Sequence, residues 1–478
     1  MRYKFKLQPY EHQLDALRAS WNKHEYAWFM DMGTGKSKVL IDNFCVLYDR
    51  GKISGVLIIA PKGVYRNWEQ GELPTHIPDH VDHETVLWRP NQTQAQIKKQ
   101  DALFVPTETL KIFIMNVEAF STRKGLDIAM RFVNAHTCMM AIDESTTIKS
   151  KDAKRTKNIV KLGKQARYKR ILTGSPVTKS PMDLYTQCEF LDPWLLGHGS
   201  YYTYQNEYAI IQRRNMGAHS FNHIVGYRNL DKLNTQLEKF SFRVRKEDCL
   251  DLPDKVYMKR SVELYPEQRK MYEELKQYAL AVLEDDSVTA TTVLTQLLRL
   301  QQVCSGHVKT DEGELHTFKS AKLPELLDVL AETNGKVIIW ANFTHDIITI
   351  RSALQEVYGE GSVVTYYGET PSEKRQEVVR QFQDPKSPVK YFVGQPRTGG
   401  YGLTLTEAKT VVYYSNNFDL AIRLQSEDRA HRIGQTSKVT YVDIVAENTV
   451  DDRILKALRS KIDIASQILA EDYKSWII

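Results

Sequence analysis

The sequence predicts an α/β protein of two parallel-sheet lobes with helical insertions. Three observations predict it. Short apolar runs rich in β-branched and aromatic residues alternate with helical stretches through the first 175 residues, the same grammar returns from Lys336 onward, and 478 residues are too many for one hydrophobic core. Unbroken apolar strands joined by helical crossovers indicate a parallel sheet covered on both faces.

The first lobe's strands read as "YAWFM", "GVLIIAP", "LKIFIMN", "TCMMAID" and "KRILTG", and the second's as "KVIIWANF", "VVTYYG", "VKYFVG", "TVVYYSN" and "VTYVDIVA". Between about 180 and 320 the pattern turns helical, because "YPEQRKMYEELKQYALAVLE" and "TTVLTQLLRLQQVC" repeat apolar residues every three or four positions. These are expected to be protrusions. "LDLPDKV", 250 to 256, reads as a junction and "FQDPKSPVK", 382 to 390, as a surface loop, since proline ends helices and extends the residue before it. The terminal "TVDDRILKALRSKIDIASQIL", 449 to 469, is amphipathic with acids in its first turn, so a helix packed back on the core is expected. The expected boundaries are 1–182 for the first lobe, 183–254 for a protrusion and return to it, 255–320 for a protrusion of the second lobe, 321–450 for that lobe, and 451–478 for the C-terminal helical segment.

Composition narrows the class. With 42% hydrophobic and 26% charged residues the chain is an ordinary folded protein, neither disordered nor fibrous. No window holds eighteen consecutive apolar residues and "MRYKFKLQPY" lacks a signal-peptide core, so no membrane role and a cytoplasmic location are expected. Five cysteines without a C-x-x-C pair read as reduced core residues. A net charge of +6 leans weakly towards a polyanionic partner.

The chemistry begins at "MGTGKS", 32 to 37, between a strand and a helix. Glycines at 33 and 35, flanking Thr34, let backbone N–H groups approach phosphate oxygens; Lys36 would reach the β and γ phosphates of ATP, and Ser37 would hold Mg2+. The strict eight-residue pattern asks for glycine where Met30 stands. About a hundred residues on, the strand "MMAIDES" ends in two carboxylates, of which Asp143 is suited to coordinate magnesium and Glu144 to orient and deprotonate water. Gln13 either reads an adenine edge with an amide that donates and accepts, or is a surface glutamine. "LTGSP", 172 to 176, either links nucleotide to neighbouring lobe or is a turn. In "QSEDRAHRIGQ", 425 to 435, helical spacing puts Arg429 and Arg432 on one face, either as phosphate-directed fingers or as members of a solvated charge run.

Taken in order, "YEHQ", "DMGTGKS", "IIAPKGVYRNW", "FIMNVEAF", "AIDESTTIKS", "RILTGSPVTKSPMDLY", "LLRLQQVCSG", "GGYGLTLTEA" and "QSEDRAHRIGQ" resemble the Swi/Snf-type ATPases of helicase superfamily two over nearly the whole chain. The resemblance implies two RecA-like lobes, ATP hydrolysis stimulated by DNA, and translocation along a duplex, usually without strand separation. It implies Gln13 on adenine, Gly402 lining the nucleotide cleft, and Arg429 and Arg432 as arginine fingers. Two departures stand out: Ser145 and Thr146 follow the acids where the family has glycine or alanine then histidine, which leaves open how the acids couple to "LTGSP", and Phe418 replaces a tryptophan. A translocase grips phosphates, for which Lys62, Lys149, Arg397, Gly399 and Gly400 are the candidates. The expected partner is double-stranded or branched DNA, the expected state a monomer, and the expected setting the nucleoid of a bacterial or phage-infected cell. Alternatives are a strand-separating DNA or RNA helicase and an ATP-switched remodelling scaffold.

Overall fold

Alternation along each strand explains why both faces of both sheets are buried. In the first unit Leu57 and Ile59 join one core while Val56 and Ile58 join another on the opposite face, and Phe113 against Ile112 and Ile114 repeats the division. The computed structural model describes residues 3–62, 64–216, 219–249, 253–284, 290–310, 312–371, 374–399, 403–432 and 434–469. They form two units, the first chiefly Met1–Ile211 and Ile224–Asp251, the second chiefly Leu252–Asp463.

The first unit's sheet has seven parallel strands: β1 (Glu25–Met30), β2 (Gly55–Ala60), β3 (His83–Leu87), β4 (Leu110–Asn116), β5 (Cys138–Asp143), β6 (Tyr168–Leu172) and β9 (Ser241–Val244), in the order β3-β4-β2-β5-β6-β1-β9. Strands β7 (Ala209–Met216) and β8 (His219–Tyr227) make a separate two-stranded sheet. Because β6 lies between β5 and β1, the turn after β6 is placed between the loops that follow the other two. Helices α1 (Glu11–Ser20) and α2 (Lys36–Asp49) are tied to β6 by Arg170, a fully buried guanidinium. It donates to Asn43 Oδ1, to the carbonyls of Ser20 and Lys23, and to those of His24 and Lys169, while burial pushes it down to about 9.

The second unit's sheet has six parallel strands: β10 (Lys255–Val262), β13 (Lys336–Trp340), β14 (Val363–Tyr366), β15 (Tyr391–Gly394), β16 (Ala408–Tyr413) and β17 (Val439–Ala446), in the order β10-β17-β16-β13-β15-β14. Strands β11 (His307–Lys309) and β12 (Leu315–Thr317) form a small antiparallel sheet. The paired helices Pro266–Glu284 and Ala290–Ser305 match the expected helical stretches; of the loop expected at 382–390, residues 384–390 form it, while Phe382, which is buried, and Gln383 end the helix Arg375–Gln383. The helix Val450–Leu469 buries Ile454 and Leu458 in the core, and its first turn pairs Asp451 with the buried Lys322 and Asp452 with Lys259 at 2.9 Å.

The expectation of a helical region from 180 to 320 is corrected by the strands β7 to β12. Edge strand β10, "KVYMKRSV", carries Lys255, Lys259 and Arg260 because one of its hydrogen-bonding edges has no neighbour in the sheet, which removes the continuous apolar signal. Residues 250–252 of the expected junction lie outside the described residues. Among the described residues no helix is long and apolar enough to cross a membrane.

Candidate functional site

The loop after β1 owes its shape to two glycines. Gly33 has φ +83° and Gly35 φ +88°, a left-handed region that costs glycine little. Thr34 between them is buried, its hydroxyl donating to the Asp31 carbonyl at 2.7 Å. Gly35 caps α2, so the first N–H groups of a fourteen-residue helix open onto the loop. Lys36 is 8% exposed and its Nζ donates to the carbonyls of Met30 and Asp31 at 2.8 and 3.2 Å. Ser37 follows, half-buried, on the first turn.

Gln13 is 5% exposed, which removes the surface-glutamine alternative. Its Oε1 accepts from the Tyr10 N–H at 3.1 Å and its Nε2 donates to the Thr34 carbonyl at 3.1 Å, leaving one amide hydrogen and one lone pair for a further partner. His12 Nε2 donates to the same Thr34 oxygen at 2.8 Å. The φ of +88° is what asks for glycine at 35, and a Cβ there would also meet Gln13 Nε2 at 2.2 Å and push that amide off the Thr34 carbonyl.

The acids close β5. Asp143 and Glu144 are 7% and 8% exposed, and Glu144 holds φ +51°, unusual for a residue with a Cβ and found where a fold over-determines its backbone. Burial raises the Asp143 carboxyl; the Trp68 indole, donating to Asp143 Oδ2 at 3.0 Å, and the Lys36 charge act against it. The Lys36 charge acting on Asp143 puts the glycine loop and the acids near one another. Glu144 Oε2 accepts from Thr173 Oγ1 at 3.2 Å, and that hydroxyl also accepts from the Ser175 N–H at 3.2 Å. So "LTGSP" is coupled to the acids directly, while Ser145 turns aside to Gln187 Oε1 at 2.7 Å. Trp68 opens a π-helical turn, Trp68–Glu72, and Arg243 of β9 bridges Asp31 Oδ1 at 3.1 Å and the carbonyls of Phe29 and Gly174 at 2.9 and 3.0 Å. Neither residue was legible as functional, since each acts through a contact distant in sequence.

Ser37 and Asp143 offer oxygen donors, and the Asp143 carboxyl, raised by burial, would be relieved by a cation: a donor set suited to Mg2+.

In the second unit Arg429 and Arg432 do not lie on a helix. The helix Leu420–Glu427 ends before them, and beyond it the Arg429 carbonyl accepts from the Leu405 N–H at 2.9 Å. The two are still brought together: the Nη1 of each donates to the Leu403 carbonyl at 3.2 Å. Behind them Arg423, 7% exposed, is held by Glu427 at 2.8 Å and by both Asp443 oxygens, and stacks on the Tyr413 ring at 3.6 Å. Phe418, standing in for the expected tryptophan, packs partly buried against this unit's core.

Of the nucleic-acid candidates, Lys62 and Arg397 are exposed, and Lys149 is half-buried with its Nζ on Thr178 Oγ1 at 2.6 Å. Gly399 ends the short helix Pro396–Gly399. Gly400 and Gly402 lie outside the described residues.

Residues 17–308 match the family described as SNF2-related domain, and residues 319–434 match the helicase conserved C-terminal domain. Over 452 residues the chain is 25% identical to an uncharacterized ATP-dependent helicase, MG018, of Mycoplasma genitalium, covering 92% of this chain and 40% of that protein. It is 24% identical over 485 residues to snf21, a chromatin structure-remodeling complex subunit of Schizosaccharomyces pombe, with 96% and 39% covered. The chain thus spans about two fifths of the length of these relatives. Among solved structures, the SWI2/SNF2 ATPase core of Sulfolobus solfataricus in complex with dsDNA is similar at 24% identity and a TM-score of 0.43, with 100% of this chain and 96% of that chain covered.

Proposed function

The chain belongs to the SNF2-related family, and from that premise we propose that it is a DNA-stimulated ATPase that translocates along double-stranded DNA. The observation that carries this reading is the convergence, in the first unit, of a glycine-shaped phosphate loop with two buried acids, one steadied by Trp68 and the other by Thr173. Gln13 uses its remaining donor and acceptor on adenine. Backbone N–H groups of 33 to 37 and Lys36 bind the phosphates, and Glu144, oriented by Thr173, takes a proton from the attacking water. Ser37 and Asp143 would hold Mg2+, which supplies charge neutralisation on the phosphates. Arg429 and Arg432 stabilise the charge that develops on the transferred phosphoryl group, making hydrolysis dependent on the second unit. Lys62, Lys149, Arg397, Gly399 and Gly400 contact the DNA backbone, and closure with ATP followed by opening after hydrolysis advances the grip.

The test is the ATPase rate with single-stranded, duplex and branched DNA and with RNA, beside a triplex-displacement assay for duplex movement. Stimulation by duplex together with displacement is expected. A rate indifferent to every nucleic acid would overturn the reading, and unwinding of a plain duplex would convert it to strand separation.

A further inference from the structure

Two side chains of α1 meet on one backbone oxygen of the phosphate loop. The Thr34 carbonyl accepts from Gln13 Nε2 at 3.1 Å and from His12 Nε2 at 2.8 Å. A carbonyl only accepts, so the His12 proton sits on Nε2. The His12 ring is itself held in plane by a parallel stack on Tyr10, centroids 5.8 Å apart and planes 9° apart. Gln13 is anchored from the other side by the Tyr10 N–H.

The consequence follows from peptide geometry. A trans peptide is planar, with C=O and N–H pointing in opposite directions. The Thr34 oxygen faces α1, so the Gly35 N–H of the same peptide faces away from it, towards the concave side of the loop where the N-terminus of α2 opens. This peptide plane turns about the Thr34 ψ and the Gly35 φ, and Gly35, at φ +88° with no Cβ, leaves that side of it free to rotate. Two donors on one acceptor select its orientation. Gln13 has a second task, reading adenine, which pulls its amide towards the base; His12 has none.

We propose that His12 is a positioning residue for phosphate binding: it locks the Thr34–Gly35 peptide so that the Gly35 N–H points at the phosphates while Gln13 is engaged with adenine. This deepens the proposed ATPase reading and rests on the loop being a phosphate cradle. It separates two functions of one short segment, since Gln13 answers to the base and His12 to the phosphates.

The experiment compares the wild-type chain with His12→Ala and His12→Gln, measuring affinity for ADP and for adenosine by competition with a fluorescent ADP analogue, and KM and kcat for ATP. Losing one hydrogen bond that orients the cradle is expected to weaken ADP and raise KM about three- to tenfold in His12→Ala, with adenosine affinity unchanged. His12→Gln, which restores a donor, is expected to recover most of the loss. Equal weakening of ADP and adenosine would show that α1 as a whole has shifted and would overturn the proposal, as would ADP affinity equal to wild type. Should wild type bind no adenine nucleotide, the ATPase reading itself fails, an outcome distinct from either.

Discussion

At the scale of single residues the site is a set of buried polar groups held by specific partners. Glu144 is the clearest case, because its backbone sits at φ +51° and its carboxylate is tethered to Thr173. Glu144→Gln keeps size and most hydrogen bonding but cannot accept a proton. It is expected to lower kcat by about 10² to 10⁴ while leaving ATP affinity within a few-fold of wild type, as read by stopped-flow hydrolysis and equilibrium binding. Thr173→Val should act through orientation alone and cost less. A Glu144→Gln enzyme with ordinary turnover would remove Glu144 from the mechanism.

At the scale of elements, the short helical stretch from Trp68 to His76 carries the donor to Asp143 and is sensitive to acid. Burial, helped by the Lys38 charge, pushes the His76 imidazole from 6.5 down to about 4. The folded chain therefore keeps His76 neutral where the unfolded chain takes up a proton. Its contribution to stability is complete above pH 6.5 and declines as pH falls towards about 4, because in that window the unfolded state binds more protons. His76→Gln has no such titration. Urea midpoints at pH 7 and pH 4.5 should thus fall further for wild type than for the variant; parallel losses would show that His76 titrates normally.

At the scale of the whole molecule, the question is whether hydrolysis needs the second unit. Arg429 and Arg432 share the Leu403 carbonyl, which holds both guanidinium groups at one place. As phosphoryl-directed groups, their replacement by Ala should lower DNA-stimulated turnover by about 10³ to 10⁵ with duplex affinity and its salt dependence preserved. The half-buried Arg432, tested as Lys as well as Ala, guards against loss of folding at the buried Arg429. A shallower salt slope with turnover intact would instead make them DNA-backbone contacts.

By itself the sequence determined that there are two parallel sheets and that the loop after β1 turns on glycines. Strands buried on both faces must be apolar throughout, as "GVLIIA" and "CMMAID" are, and a loop that brings its backbone close to phosphate must spend glycines, as Gly33 and Gly35 show. Only the tertiary structure decided that β9 and β10 are sheet edges, because edge strands tolerate charge and read as noise. It also decided that Trp68 reaches Asp143 across 75 residues, that Thr173 bypasses Ser145 to hold Glu144, and that Arg429 and Arg432 converge outside any helix. Local periodicity cannot express such contacts: they are set by which strand ends lie side by side, and strand order is a property of the assembled sheet.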